Sequence, residues 1–420
     1  MDISLKKLIT RGQFTLYSAL TEKFTFFILF VYLARKTSVE NYGTIVAVFA
    51  FANILANFFE FGFGPYFQRE AAHNNVNLNE ELKTAISFKL SSFPFFIAII
   101  IIYFLFSNFN DIVTLVIIGT TIFILFINSI FTSILYGRNL YSNSFSALFL
   151  SRILIILLII ISFLFFHSEK FVLLVLLTGG LLQGYLLIYC LHSLNIIITP
   201  GKIYGRTLKK IISSSLPIGI GISFVFVYDK IDVLLIEKII NPEAVAVYAV
   251  AYSIYKLPQI FSSVLLSPLF SDFSNAFIDK SKFSIKIIAK PAIAFVIISL
   301  IIMIGINLTS GFILEIIYGA KYVNSAWILN MLCIALPGLF LDELTGTTLF
   351  SLRKERTVMY SRFFAVIINV SINLLLLNRM GILGAIIATI AAVYSSYIIQ
   401  LLVLLKIKIH LEGDLDSVNV

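Results

Sequence analysis

The stretch ILIILLIIISFLFF, Ile153–Phe166, decides the fold. Ser162 is its one polar residue, and past Arg152 and Ser151 the run continues back to residue 146. It therefore reaches the roughly 20 residues that a helix needs to cross a hydrocarbon core about 30 Å thick. Strand alternation is absent, so the run is predicted to be a helix, which closes its backbone hydrogen bonds within itself. Eleven further runs share this character, at about 14–34, 42–66, 86–106, 112–135, 171–191, 211–235, 245–268, 288–308, 325–349, 357–377 and 381–405. About twelve spans of about 20 residues use about 240 residues, which matches 59% hydrophobic residues in a chain of 420. Soluble domains run at roughly 45–50% apolar. With mean hydropathy +0.99, 41 Phe and only 13% charged residues, too few polar side chains remain to cover a soluble fold. Composition excludes a soluble enzyme, a disordered chain and a disulfide scaffold. The expected fold class is an all-α polytopic membrane protein with twelve transmembrane helices.

Charge placement gives orientation. With the N-terminus in the cytoplasm, the cytoplasmic segments hold 19 Lys and Arg and the outer loops hold 6: Arg35, Lys36, Lys170, Lys238, Lys321 and Arg379. That asymmetry places both termini in the cytoplasm. The net charge of +9 thus reads as orientation signal and contact with membrane lipids. There is no basic tail and no interleaving of basic with aromatic residues, so nucleic acid is not an expected partner. Cys190 and Cys333 lie in apolar runs as small core residues. His73, His167, His192 and His410 lack metal-ligand spacing, and no metal site is expected. Lys6 and Lys7 precede the first run, but no small-residue cleavage site follows it, so no cleavable signal peptide is expected.

The longest polar connection in mid-chain runs from His192 to Lys210 and contains Pro200, Gly201 and Gly205. It divides the runs six and six, the plan of a transporter built from repeats. The predicted organisation is an N-terminal six-helix lobe at 1–195, a basic cytoplasmic linker at 196–210, a C-terminal six-helix lobe at 211–405 and a cytoplasmic tail at 406–420. A weak internal match supports the repeat: Ser38-Val39-Glu40-Asn41-Tyr42-Gly43 and Asn241-Pro242-Glu243-Ala244-Val245-Ala246 follow the first span of each half.

Six basic residues fall inside or at the edge of the runs: Lys23, Lys89, Arg152, Lys230, Lys256 and Arg362. Glu22, Glu60, Asp229, Asp232, Asp342 and Glu343 are the acids in similar places. A charge at mid-bilayer costs at least about 2.5–3.5 kcal/mol, so it faces a polar lumen, pairs or snorkels. Lys89 and Arg362 have an ordinary reading as snorkelling side chains. Asp229–Lys230–Asp232 and Glu22–Lys23 have one as structural pairs. Lys256 and Arg152 are harder to explain that way and are expected to face a lumen. Glu60 lies between Phe59 and Phe61, so it faces away from lipid and lines a cavity or pairs with a cation. Fixed Lys and Arg suit an anionic substrate, above all phosphate, and the acids could carry a coupling H⁺ or Na⁺. Pro217, Pro258, Pro268 and Pro337 interrupt runs of the second half as static kinks or as hinges.

Several motifs in order carry a resemblance. Tyr32-Leu33-Ala34-Arg35 with Glu40-Asn41-Tyr42-Gly43 is similar to the "L-A-R…E-x-Y-G" pattern of polysaccharide exporters. Phe59-Glu60-Phe61-Gly62-Phe63-Gly64 resembles their "D-[FL]-G-[LF]" stretch, with Glu for the commoner Asp. Asp229-Lys230-Ile231-Asp232 resembles "D-[RK]-I-D". Val247-Tyr248-Ala249-Val250-Ala251-Tyr252 looks like "G-[IL]-Y-[SA]-x-A", with Ala246 where Gly is common. Tyr318-Gly319-Ala320-Lys321-Tyr322 is similar to "[FY]-G-x-[EK]-Y".

Together they resemble the O-antigen repeat-unit flippase group (Wzx-type) of the multidrug/oligosaccharidyl-lipid/polysaccharide exporter superfamily. The resemblance implies a MATE-like exporter fold in the bacterial inner membrane and no enzymatic activity. The implied function moves an undecaprenyl-diphosphate-linked oligosaccharide from the cytoplasmic to the periplasmic leaflet by rocking of two lobes, driven by H⁺ or Na⁺ and without a further cofactor. A polysaccharide polymerase and a chain-length regulator are candidate partners. On this reading Lys23, Arg152, Lys256 and Arg362 bind substrate, Glu60, Asp229, Asp232, Asp342 and Glu343 pair or couple, and Pro217, Pro258 and Pro337 are hinges. A multidrug cation antiporter, which would prefer an acidic cavity, and a lipid II flippase, commonly of fourteen helices, are the alternatives within the superfamily. A membrane glycosyltransferase would need large polar loops, and a scaffold would not need charges in its spans. No G-x-x-x-x-G-K-[ST] sequence is present for ATP hydrolysis.

Overall fold

The computed structural model describes residues 5–73, 77–106, 109, 111–166, 168–260, 262, 265–266, 273, 285–352 and 354–416, with no side chains at 5–11, 166, 285–287 and 408–416. Lys6, Lys7, Arg11, His167, Pro268, Lys280, Lys282, Lys286, Arg353, Lys408 and His410 lie outside the described residues or side chains.

Among the described residues every regular element is helical. In chain order these are α1 (Leu5–Lys36), α2 (Val39–Glu60), α3 (Phe63–Ala72), α4 (Leu78–Leu105), α5 (Ile112–Gly137), α6 (Tyr141–Ile161, ending in a π turn), α7 (Glu169–His192) and α8 (Gly205–Ile239). There follow α9 (Pro242–Lys256), α10 (Ile285–Tyr318), α11 (Ala326–Leu332), α12 (Leu336–Ser351), α13 (Glu355–Met380) and α14 (Ile382–Asp416). Among the described residues eleven stretches are long and apolar enough to cross a membrane, and eleven of the twelve apolar runs fall on them. The remaining run, 245–268, begins on the 15-residue helix α9 and continues into residues that are in part outside the described set. The chain is a multi-pass membrane protein. Leu308, Phe312 and Phe165 show the outward apolar surface that lipid requires.

The helices gather into two compact units, Met1–Phe226 and Val227–Val420. Residues 196–226, including the basic connection and the larger part of α8, thus belong with the N-terminal helices. In the first unit α5 is central and packs on α7, α3, α2 and α4. Its core gathers Phe63, Phe67, Leu82, Ile130, Leu187 and Ile211. In the second unit α14 packs along α13 and α12, and α10 packs on α12. Phe295, Phe340 and Leu344 lie in its core.

The two matched sequence segments are equivalent helix starts. Ser38 accepts a hydrogen bond from the Asn41 amide at 3.1 Å, and Asn241 accepts one from the Ala244 amide at 2.7 Å. Each caps its helix, and Glu40 and Glu243 follow in the first turn where the helix dipole favours an acid.

On the side where the chain passes from α4 to α5, Asp111 caps α5 and joins it to α7. Its carboxylate accepts from the Thr114 hydroxyl at 2.9 Å and meets the Lys170 ammonium at 3.0 Å. Burial raises its pKa, but these partners outweigh burial and hold the carboxyl below its ordinary value. A depressed carboxylate pKa stabilises the fold above the unfolded value of about 4, and that stability is lost as pH falls through the folded value. We expect wild-type protein to lose thermal stability more steeply than Asp111→Asn as detergent solutions are acidified below about pH 4. Melting curves across that range check it.

Candidate functional site

In the second unit, three carboxylates lie close to tyrosines on α9. Tyr248, Tyr252 and Tyr255 share one face of that helix, and α8 brings Tyr228, Asp229 and Asp232 to it. Each carboxylate has a different shell. Asp229 is an ion pair: Lys230 lies 3.1 Å and Lys256 3.2 Å from its oxygens, and the Tyr252 hydroxyl donates at 3.1 Å. Asp232, 5% exposed, is held by neutral donors. Thr389 approaches it at 2.8 Å and Tyr248 at 3.1 Å, while the Asn373 amide donates at 2.7 Å to its other oxygen. Asn373 also bonds Asn369 one turn away.

Asp342 on α12 has a third arrangement. Ser396 donates to it at 2.6 Å and the Gln400 amide at 2.8 Å. Gln400 is fixed in turn by the Thr345 hydroxyl at 2.8 Å and by Ser361 at 3.0 Å. Arg362 and Lys256 are the cations that act on Asp342. Glu343, next in sequence, accepts from Gln259 at 2.7 Å. The structure thus brings Lys256, Arg362, Asp229, Asp232 and Asp342 into one electrostatic neighbourhood around Tyr228.

The first unit holds the remaining candidate charges. Arg152 on α6 is fully buried. Its nearest carboxylate is Glu22 on α1, 3.6 Å from Nη2 and half-exposed, too far for a good hydrogen bond. None of its three guanidinium nitrogens has a hydrogen-bond partner among the described residues. Lys23 is exposed on α1. Lys89 does not snorkel: it is 2% exposed on α4, 6.0 Å from the centre of the Phe63 ring, with Glu60 as its counter-charge.

Glu60 also has a local role. The chain breaks between α2 and α3 through two left-handed residues, Phe61 (φ 55°) and Gly62 (φ 75°). Glu60, at the end of α2, accepts from the Gly64 amide at 2.6 Å and so caps the start of α3. A Cβ on Gly62 would lie 2.7 Å from the Gly219 amide nitrogen, and one on Gly219 would lie 2.6 Å from the Phe61 carbonyl carbon. The break therefore packs backbone-to-backbone on α8 beside Pro217, which lies inside that helix. Pro258 follows the end of α9 in the turn Leu257–Pro258. Pro337 opens α12 after a short 3₁₀ turn, where proline removes no helical hydrogen bond. Pro94 in α4 and Pro291 in α10 are internal as well.

Tyr248 and Tyr252 lie in a quoted motif but carry no site role in the sequence, and Tyr228, Tyr255, Thr389, Asn369, Asn373, Ser396 and Gln400 carry no motif at all. Their signal is polar residues one or two turns apart on otherwise apolar helices. A cavity of about 240 Å³ between α6 and α7, lined by Ser142, Asn143, Ser146, Leu186, Tyr189 and Cys190 among others, holds none of the candidate charges. Among the described residues no group of three or more His, Cys, Asp or Glu could hold a metal ion.

The profile of a family described as "Polysaccharide biosynthesis protein" matches residues 12–274. "Uncharacterized membrane protein MJ1375" of Methanocaldococcus jannaschii is 23% identical over 416 residues, 95% of this chain and 98% of that protein. Among solved structures, "Lipid II flippase MurJ, inward closed conformation" is similar with TM-score 0.75 and 16% identity, covering 94% of this chain and 87% of that one. An inward-facing multidrug resistance MATE family transporter of the MOP superfamily has TM-score 0.71 and 14% identity, covering 95% of each chain. These likenesses establish the MATE-like fold.

Two outcomes are expected from this geometry. Asp232→Ala leaves buried donors without an acceptor, at about 1–3 kcal/mol each, so it should lower the melting temperature more than Asp232→Asn. Gly219→Ala should lower it as well, because backbone, not a flexible side chain, occupies the space its methyl needs. Thermal unfolding of the purified variants in detergent measures both.

Proposed function

The chain belongs to the polysaccharide biosynthesis protein family, and on that premise we propose that it is a flippase for undecaprenyl-diphosphate-linked oligosaccharide repeat units, of O-antigen or a related surface polysaccharide. It is a transporter rather than an enzyme. In this reading it sits in the bacterial inner membrane with both termini in the cytoplasm. It moves its substrate from the cytoplasmic to the periplasmic leaflet by alternating access. Polymerase and chain-length regulator would take the product on the far side.

The observation that carries the reading is Arg152. A guanidinium has five N–H donors and stays charged. Removing it from water without hydrogen-bond acceptors is among the costliest arrangements in a protein. A phosphate oxygen pair is the acceptor that matches its planar fork. Lys23 neighbours its Glu22 counter-charge in sequence, and Lys256 and Arg362 supply cations in the second unit. These four are the residues assigned to the diphosphate and to acidic sugars.

Asp232 and Asp342 are assigned to coupling. Their hydrogen-bond donors are neutral, so each site can exchange H⁺ or Na⁺ without breaking an ion pair. Thr389, Asn369 and Tyr248 add oxygens around Asp232 that suit a hard cation. Asp229, Glu60 and Glu343 are assigned to pairing, Pro217 to a bend within α8, and Pro258 and Pro337 to hinges at helix ends.

The test is complementation. Deleting the gene should make lipid-linked repeat units accumulate while long-chain polysaccharide disappears from the surface, and the wild-type gene should reverse both. Arg152→Met should insert and melt at or above the wild-type temperature, because a hydrophobic residue of similar volume relieves the buried charge, yet fail to restore polysaccharide. Full restoration by a variant lacking Lys23, Arg152 and Lys256 would overturn the anionic site. Loss of multidrug efflux with polysaccharide intact would select the cation antiporter instead.

A further inference from the structure

The connection from α7 to α8 is a built surface rather than a slack loop. α7 ends at His192 and α8 begins at Gly205, so the residues between them lie at one membrane face, the cytoplasmic one by the distribution of Lys and Arg. The backbone of this connection is tied to α4 at three places. Asn79 donates to the Asn195 carbonyl at 3.3 Å and accepts from the Ile197 amide at 3.3 Å, and Ser87 accepts from the Gly201 amide at 2.8 Å. Just beyond, Lys210 donates at 2.7 Å to the buried Glu81, whose other oxygen accepts from Tyr66 at 3.0 Å. Ile196 is anchored in the core of the unit.

The outer side of the same segment is apolar and basic together. Ile197, Ile203 and Tyr204 are 54%, 37% and 44% exposed. Lys202, Arg206 and Lys209 are exposed among them. Lys210 is engaged with Glu81, and the nearby acids are Glu70 on α3 and Glu80, exposed at the start of α4. Exposed aliphatic and tyrosine side chains at headgroup depth favour the boundary between glycerol and acyl chain, and a cluster of cations there favours anionic headgroups. Because the hydrogen bonds to α4 already fix the backbone, little ordering entropy remains to oppose binding.

We propose that the segment from Ile197 to Lys209 is a preorganised docking surface for anionic phospholipid headgroups of the cytoplasmic leaflet. It lies outside the charged sites assigned to the transported substrate. It anchors the first half of α8 to the membrane surface together with the N-terminal helices.

The test uses the full chain in nanodiscs of phosphatidylcholine with or without phosphatidylglycerol, and no polyprenyl lipid, so its failure is separate from failure of the flippase reading. The wild type should melt higher with phosphatidylglycerol. The triple variant Lys202→Gln/Arg206→Gln/Lys209→Gln should lose most of that rise while melting like wild type in phosphatidylcholine. A control triple, Lys290→Gln/Lys354→Gln/Arg356→Gln, removes the same charge from other cytoplasmic segments and should keep the rise. No rise in the wild type, or equal loss in both triples, overturns the proposal. Should the first triple fail to fold, a photoreactive phenylalanine replacing Tyr204 in the otherwise native chain should crosslink phosphatidylglycerol in preference to phosphatidylcholine, and equal capture of the two overturns it.

Discussion

Hydrocarbon offers no hydrogen-bond partner, and nearly every feature of this molecule answers that constraint. The backbone satisfies it in helices, the one kind of regular element among the described residues. Side chains satisfy it less uniformly. Most buried Ser and Thr on the spans return a hydrogen bond to a carbonyl one turn back, as Thr121 does to Ile117 and Thr348 to Leu344. Such groups cost little, and a few of them, such as Thr389, bond a carboxylate as well. The charged groups cannot be satisfied this way, so their shells reveal what each can do.

Three kinds of shell occur. Asp229 meets two lysines, Lys230 and Lys256. Asp232 and Asp342 are held by hydroxyls and amides instead. Neutral donors satisfy the oxygens of a carboxylate without supplying a countercharge, and Asp342 feels Arg362 and Lys256 besides. Arg152 has the opposite imbalance: a full positive charge with no acceptor in hydrogen-bond range among the described residues. Satisfied pairs stiffen a unit, whereas Arg152 keeps a charge that is incompletely compensated among the described residues.

Breaks in the helices follow the same logic. At Phe61–Gly62 the chain leaves the helical region, and the exposed start of α3 is capped at once by Glu60. The break is also where α8 comes closest, at Gly219. Two glycines permit that approach, and Pro217 beside it removes one helical hydrogen bond. Up to this point α8 is bound to the N-terminal unit by Lys210 and by this contact, and Phe226–Val227, where the units divide, lies only a few residues further on.

The sequence by itself determined that this chain spans a membrane, in helices, many times over. Apolar run length and loop charge are local properties, and the bilayer reads them one segment at a time. It also marked which charges were out of place, because a Lys or Asp inside such a run is conspicuous. What each charge meets was decided only by tertiary structure. Lys89 and Lys256 look alike in sequence, yet one is buried against Phe63 and Glu60 and the other shares Asp229 with Lys230 and Tyr252. Two of the three side chains that donate to Asp232, Asn373 and Thr389, come from more than a hundred positions away. Nothing local distinguishes those two from the many Asn and Thr that merely bond their own helix, since a side chain's partner across a helix interface depends on how the helices rotate and pack.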